Sequence, residues 1–192
     1  ALNFGEVLGA WTHPWRMRRL LGGGDRPADV KRYLDGFFDS PFRFYAAQAA
    51  ALPDRLRKGR PLNLKRRNAV RAVGIKDFHL NIERRGVVDY LKERPGLRVI
   101  GLVRRNPGRR YLSAAMLKQT GQAAARGRDC DAFTPLTISP ADFLDGARSV
   151  AAENARLCAT LADLDPARRL IIDYVDYFSD EGAMREANQD MF

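Results

Sequence analysis

An α/β fold with a parallel sheet is what this sequence predicts, on three observations. Short apolar runs bounded by turn signals recur at residues 69–78 (AVRAVGIKDF), 98–103 (RVIGLV) and 169–174 (RLIIDY). Segments with helical periodicity fill the intervals between them. Strands separated by helices favour right-handed crossovers, and so parallel pairing. At 192 residues the chain fits one domain with a real core. Three strands make a narrow sheet for that length, so either a further strand is hidden or the sequence lacks one.

The elements follow in order. Residues 1–26 are mixed, with Trp11, Trp15 and a Gly22-Gly23-Gly24 turn. Residues 29–38 read as a helix, with Val30, Tyr33, Leu34, Phe37 and Phe38 on one face. A second helix is expected over 41–57, capped by Ser40, with Pro41 in its first turn. Residues 58–68 form a basic connector. A helix over 82–93 stops before Pro95-Gly96. After the 98–103 strand, Arg104-Arg105-Asn106-Pro107 turns into a helix running to about residue 125. Residues 127–137 read as a loop. Ser139 caps a long helix with Asp142 in its first turn, and its apolar stripe is Phe143, Ala147, Val150, Ala151, Leu157, Cys158, Leu161 and Leu164. The 169–174 strand and a short polar helix close the chain.

Charge narrows the partners. Thirty-three basic residues against 23 acidic give a net charge of +10, which favours an anionic partner. A nucleotide, a nucleic acid and an acidic lipid surface all satisfy it. No stretch approaches the ~20 apolar residues of a membrane helix, so no membrane span is expected. The N-terminus has no signal-peptide pattern. Cys130 and Cys158 suggest neither a disulfide framework nor a metal knuckle, and a cytoplasmic location is expected.

The chemistry concentrates at residues 101–113, GLVRRNPGRRYLS. A buried strand ends in arginines, turns at Asn-Pro and enters a helix carrying a serine. Ligands in open α/β sheets sit at the carboxyl ends of strands. A helix N-terminus there favours anions, and arginine adds a bidentate fork for phosphate. Arg109 and Ser113 are four apart and share a helical face. Arg105 at the strand end would complete a site for one phosphate, with Arg104 expected to pair with a carboxylate.

Those residues resemble the 3′-phosphate site of the sulfotransferase superfamily: an arginine at a strand end, then Asn-Pro, with a serine eight residues beyond the arginine. Arg105-Asn106-Pro107 and Ser113 match. Gly74-Ile75-Lys76, the run from Leu97 to Asn106, Lys118–Gln122 and Gly5-Glu6 are similar to features of the bacterial, nodulation-type carbohydrate branch, and residues 172–178 match loosely. The resemblance implies a three-layer α/β sandwich of the nucleotide-kinase type. It implies sulfuryl transfer from 3′-phosphoadenosine 5′-phosphosulfate (PAPS) to a hydroxyl acceptor, releasing adenosine 3′,5′-bisphosphate (PAP), with no metal. The acceptor, a carbohydrate, lipid or small metabolite, stays open, as does the oligomeric state. Arg105, Arg109 and Ser113 would bind the nucleotide. Glu6 would be the general base and Lys76 would stabilise charge on the sulfuryl oxygens, with His79 as the competing base.

The family grips the 5′-phosphosulfate with a loop resembling Arg-Ser-Gly-Ser/Thr-Thr ahead of the Gly-Glu pair. No such loop precedes Gly5-Glu6, and the three glycines at 22–24 lack the strand and side chains to replace it. The sequence therefore reads as a single domain incomplete at its N-terminus, binding donor poorly and lacking turnover as it stands. Two rival readings remain: a non-catalytic nucleotide- or partner-binding domain of the same fold, and a basic nucleic-acid-binding module, with residues 58–67 as its patch. Trp11, Trp15 and Tyr45 read as core aromatics, with the floor of a sugar site as the alternative.

Overall fold

The computed structural model describes residues 1–50, 52–57, 59, 61–62, 64–120 and 135–178. It is a mixed helix–strand structure with small parallel strand pairs, and it divides into two compact units. The described part of the first is Ala1–Gly96. The second is Leu97–Arg185, described as far as Phe178.

In the first unit, β1 (Leu2–Asn3) pairs parallel with β2 (Val73–Gly74), Leu2 opposite Val73 and Asn3 opposite Gly74. β1 is a strand the sequence does not reveal, too short to show an alternating pattern, and it forms a separate pair with β2 and does not widen one sheet with β3 and β4. The strand expected over 69–78 shrinks to two residues. Its start is instead a 3₁₀ turn, Arg67–Ala69, whose following N–H, that of Val70, returns to the Arg67 carbonyl. Helices α1 (His13–Leu20), α2 (Pro27–Asp39), α3 (Pro41–Ala50) and α4 (Leu52–Arg57) lie between β1 and β2. The single helix expected over 41–57 is therefore two segments. Ser40 does cap the first, its Oγ accepting the Arg43 N–H at 3.2 Å.

The helix expected over 82–93 is also two, α5 (His79–Arg84) and α6 (Tyr90–Glu93). Gly86 is the reason. It sits at φ 63°, its N–H returns to Glu83 and the Val87 N–H reaches back to Ile82, a Schellman-type stop. Glycine takes that left-handed backbone without steric cost.

Aromatic rings fill the core of this unit. Phe4 packs on Phe37 and Phe44, Phe37 meets Tyr33 edge-on at 5.0 Å, and Tyr33 meets Trp15 at 5.8 Å. Val7, Leu8, Trp15, Val30 and Phe44 are essentially fully buried. Arg18 and Arg85 lay their guanidinium groups against the Trp15 ring, at 4.5 and 3.9 Å from its centroid. Burial pushes the Tyr33 phenol well above its usual range.

One ion pair in this unit carries a pH signature. Arg94 forks onto Asp39 at 2.5 and 3.0 Å, and that hydrogen bonding holds the Asp39 carboxyl below its usual range. A carboxylate depressed in the folded state adds stability above its unfolded pKa and loses it as pH falls through the folded value. Asp39 is largely exposed, so the pair is worth under about 1 kcal/mol. Asp39→Asn should lower stability by that amount at pH 7. The gap to wild type should close in acid, below the folded pKa. Chemical denaturation at both pH values checks this, and an equal gap at both would contradict it.

In the second unit, β3 (Val99–Val103) pairs parallel and in full register with β4 (Arg169–Asp173). Between them lie α7 (Pro107–Thr120) and α8 (Pro140–Ala162). After β4 the chain enters α9 (Tyr174–Phe178). Ser139 caps α8 as expected, accepting the Asp142 N–H at 3.0 Å. Leu161 and Leu164 from the expected stripe are buried, with Leu161 packed across Gly101 of β3, whereas Ala151 is exposed. The loop expected over 127–137 falls largely outside the described residues, as do the end of the helix expected to reach residue 125 and the segment after 178. No described helix is long and apolar enough to cross a membrane.

Candidate functional site

The six candidate residues fall in two groups, one in each unit. Glu6, Lys76 and His79 belong to the first. Arg105, Arg109 and Ser113 belong to the second.

In the second unit the sequence dictates a strand–cap–helix junction. Apolar β3 ends at Val103, and Asn106 caps α7: its Oδ1 accepts the Arg109 N–H at 2.9 Å and its carbonyl accepts the Arg110 N–H. That cap already takes one of the N–H groups an anion would use. Arg110 and Tyr111 turn toward α8. Arg110 pairs with Glu153 at 2.6 Å and donates to Asn154 at 3.0 Å, while Tyr111 meets Phe143. This fixes the rotation of α7 and leaves Arg109 and Ser113 exposed, four residues apart on one face.

Of the two strand-end arginines, Arg105 and not Arg104 meets a carboxylate. Arg104 is the one that stacks, its guanidinium 3.7 Å from the Tyr174 ring centroid. Arg105 takes the carboxylate, its Nε 2.5 Å from Oδ2 of Asp173 at the end of β4. The Arg105 side chain stays 80% exposed while Asp173 is buried. Asp173 also accepts the Val175 N–H at 2.8 Å, so it serves as the cap of α9. An ion pair with so exposed an arginine is worth at most about 1 kcal/mol, less than a charge-assisted bond to phosphate at about 1.5–3 kcal/mol.

In the first unit Glu6 and Lys76 leave the same end of the β1–β2 pair. The Phe4 N–H reaches the Gly74 carbonyl at 3.0 Å, and the Lys76 N–H reaches the Gly5 carbonyl at 3.1 Å. The ladder thus steps one residue along at Gly5, whose φ of 71° suits glycine. This is the local reason for a Gly-Glu pair there. The Glu6 Oε2 accepts the indole N–H of Trp11 at 3.2 Å. Trp11 is 56% exposed and lies 6.4 Å from the ring of Phe78, also exposed. Of the aromatics read as core, only Trp15 is buried, and Tyr45 is exposed with Trp11.

His79 is placed differently. It is buried in the first turn of α5, with Nδ1 3.7 Å from Glu83. A general base must be accessible to the group it deprotonates, and this imidazole is more closed off than the part-exposed Glu6 carboxylate.

Asp77, which sequence reasoning passed over, is the best-connected carboxylate here. It accepts the N–H groups of Val7, Leu8 and Phe78 and the Asn81 amide. Nothing in the pattern around residue 77 signals a bond to a backbone 70 positions away.

An open groove of about 500 Å³ lies in the second unit, lined by Tyr111, Lys118, Thr137, Asp142 and Asp145 among others. None of Arg105, Arg109 and Ser113 lines it. No cluster of three or more metal-ligating side chains occurs among the described residues. Comparison of the chain with protein-family models, curated proteins and solved structures gave no match.

Proposed function

We propose that the chain is a PAPS-dependent sulfotransferase built on a three-layer α/β sandwich of the nucleotide-kinase type. The observation that carries the reading is the 101–113 junction. An arginine stands at the end of an apolar strand, and Asn-Pro opens a helix whose exposed face carries Arg109 and Ser113. On this reading Arg105, Arg109 and Ser113 hold the 3′-phosphate of the donor. Two arginines and a hydroxyl supply charge-assisted donors to a dianion, and the net charge of +10 draws the nucleotide in.

The reaction is an in-line displacement at sulfur. The acceptor oxygen attacks, its proton passes to Glu6, and the bond from sulfur to the bridging phosphate oxygen breaks. Adenosine 3′,5′-bisphosphate leaves with that electron pair. Lys76 complements charge on the sulfuryl oxygens as they pass through the transition state. Positioning and electrostatics dominate, as in phosphoryl transfer. In the protein joined to its 5′-phosphosulfate loop, Lys76→Ala should therefore reduce turnover with little change in bisphosphate affinity, and parallel losses in both would contradict this role.

Titration calorimetry tests the reading against the nucleic-acid alternative. With the 5′-phosphosulfate loop joined to the chain, adenosine 3′,5′-bisphosphate should bind one per chain and more tightly than any duplex DNA at 150 mM salt. No heat with the bisphosphate, together with a DNA affinity that falls steeply with salt, would overturn it.

A further inference from the structure

We infer that Asp77 is the positioning residue that holds the base Glu6 in fixed relation to Lys76. The inference rests on the sulfotransferase reading of those two residues. Asp77 follows Lys76 directly, and its carboxylate reaches across to the turn that carries Glu6. Oδ2 accepts the N–H of Val7 at 2.9 Å and of Leu8 at 2.7 Å, the two residues after Glu6. Oδ1 accepts the N–H of Phe78 at 2.9 Å and the Asn81 amide at 2.6 Å.

Four donors occupy the four lone-pair positions of this carboxylate. Asp77 is therefore no base itself; its acceptor capacity is spent on structure. Val7 and Leu8 are fully buried, so without Asp77 their N–H groups would stand in the core with no water to replace it. Other bonds on the same turn do different work. The Tyr33 hydroxyl donates to the Val7 carbonyl and the Arg85 Nε to the Leu8 carbonyl, tying the turn to α2 and to the end of α5. Asp77 joins it to the strand end that carries Lys76. The Gly5–Lys76 backbone bond sets the near side of this link and Asp77 the far side. The two bonds pin the backbone on either side of Glu6. Its Oε2 is held by the Trp11 indole N–H.

The two tryptophans provide a readout that needs no acceptor. The Trp11 indole N–H bonds to Glu6, whereas the Trp15 indole is buried in the core and reports the fold. In ¹⁵N-correlated NMR spectra, Glu6→Gln should move the Trp11 indole resonance by removing its charged partner. Asp77→Asn keeps the side-chain shape but turns an amide N–H₂ toward one pair of donors. It should move the Trp11 resonance at least half as far in the same direction, leave the Trp15 resonance in place, and speed amide exchange at Val7 and Leu8. A Trp11 resonance unmoved in Asp77→Asn, with Val7 and Leu8 exchange accelerated, would overturn the inference, because Asp77 would then serve the backbone without holding the base.

If Asp77→Asn does not fold, wild type still decides. Couplings across hydrogen bonds should link the Val7 and Leu8 amide nitrogens to the Asp77 carboxyl carbon, and their absence would overturn the inference. Binding of adenosine 3′,5′-bisphosphate, measured on the same wild-type and Asp77→Asn samples, separates the two levels. Equal affinity in both is expected. No binding in either would sink the sulfotransferase reading, whatever the indole resonances do.

Discussion

In the protein joined to its 5′-phosphosulfate loop, Glu6→Gln should lower turnover by about 10²–10⁴-fold while leaving bisphosphate affinity nearly unchanged, the usual worth of general-base catalysis. The substitution keeps the shape of the side chain and its acceptor oxygen for the Trp11 indole, and removes only the capacity to take a proton. Glu6 stands past the end of β1, beside the strand that delivers Lys76. His79→Ala is the control. The imidazole is buried beside Glu83 in α5, so its loss should act through stability and leave turnover per folded molecule within a few-fold of wild type. A nearly active Glu6→Gln beside an inactive, folded His79→Ala would give the proton to His79.

Arg105→Ala should weaken adenosine 3′,5′-bisphosphate binding by about 2–3 kcal/mol, roughly 30- to 160-fold, as expected for a charge-assisted bond to phosphate. The structure adds a prediction of opposite sign. Arg105 rests against Asp173 through Nε, so the carboxylate competes with an incoming phosphate for the guanidinium. Asp173→Asn keeps an acceptor for the Val175 N–H, frees Arg105 and removes a negative charge near the incoming phosphate. It should tighten binding by up to about 1 kcal/mol, roughly fivefold, because a pair with so exposed an arginine is worth no more. Weaker binding in Asp173→Asn would mean that Asp173 orients Arg105 for the nucleotide instead of competing for it.

The two ends of the chain differ in how much of this was legible. β3 was plain because five apolar residues run between Pro95-Gly96 and Arg104-Arg105, with no competing helical period. The Ser139 cap and the long stripe behind it were plain for the same kind of reason: a local side chain meets a local need. β1 was not, because two residues carry no period and the pairing partner lies 71 positions away. α1 was hidden by its composition; HPWRMRRL buries one indole and the whole side chain of Arg18 rather than an apolar stripe. The helix over 82–93 was read through Gly86 because an isolated glycine is tolerated in helices, and the local bonds make it a stop.

The candidate site divides similarly. A motif of neighbours, such as Arg105-Asn106-Pro107 with Ser113, is visible in sequence. Long-range partners are not, and Asp77 on Val7 and Leu8, or Asp173 on Arg105, emerged only from the structure. Arg104 and Arg105 could not be told apart by type alone; the placement of Tyr174 and Asp173 at the end of β4 separates them.

The account stands on the 101–113 segment as the seat of the 3′-phosphate, and an NMR titration tests that claim most directly. Adenosine 3′,5′-bisphosphate should shift the Arg105 side-chain Nε–H and the Gly108 to Ser113 amides, saturably and with one dissociation constant. Adenosine 5′-monophosphate, which lacks the 3′-phosphate, should leave them nearly still. Equal shifts with both nucleotides, or saturable shifts confined to residues outside this segment, would contradict it.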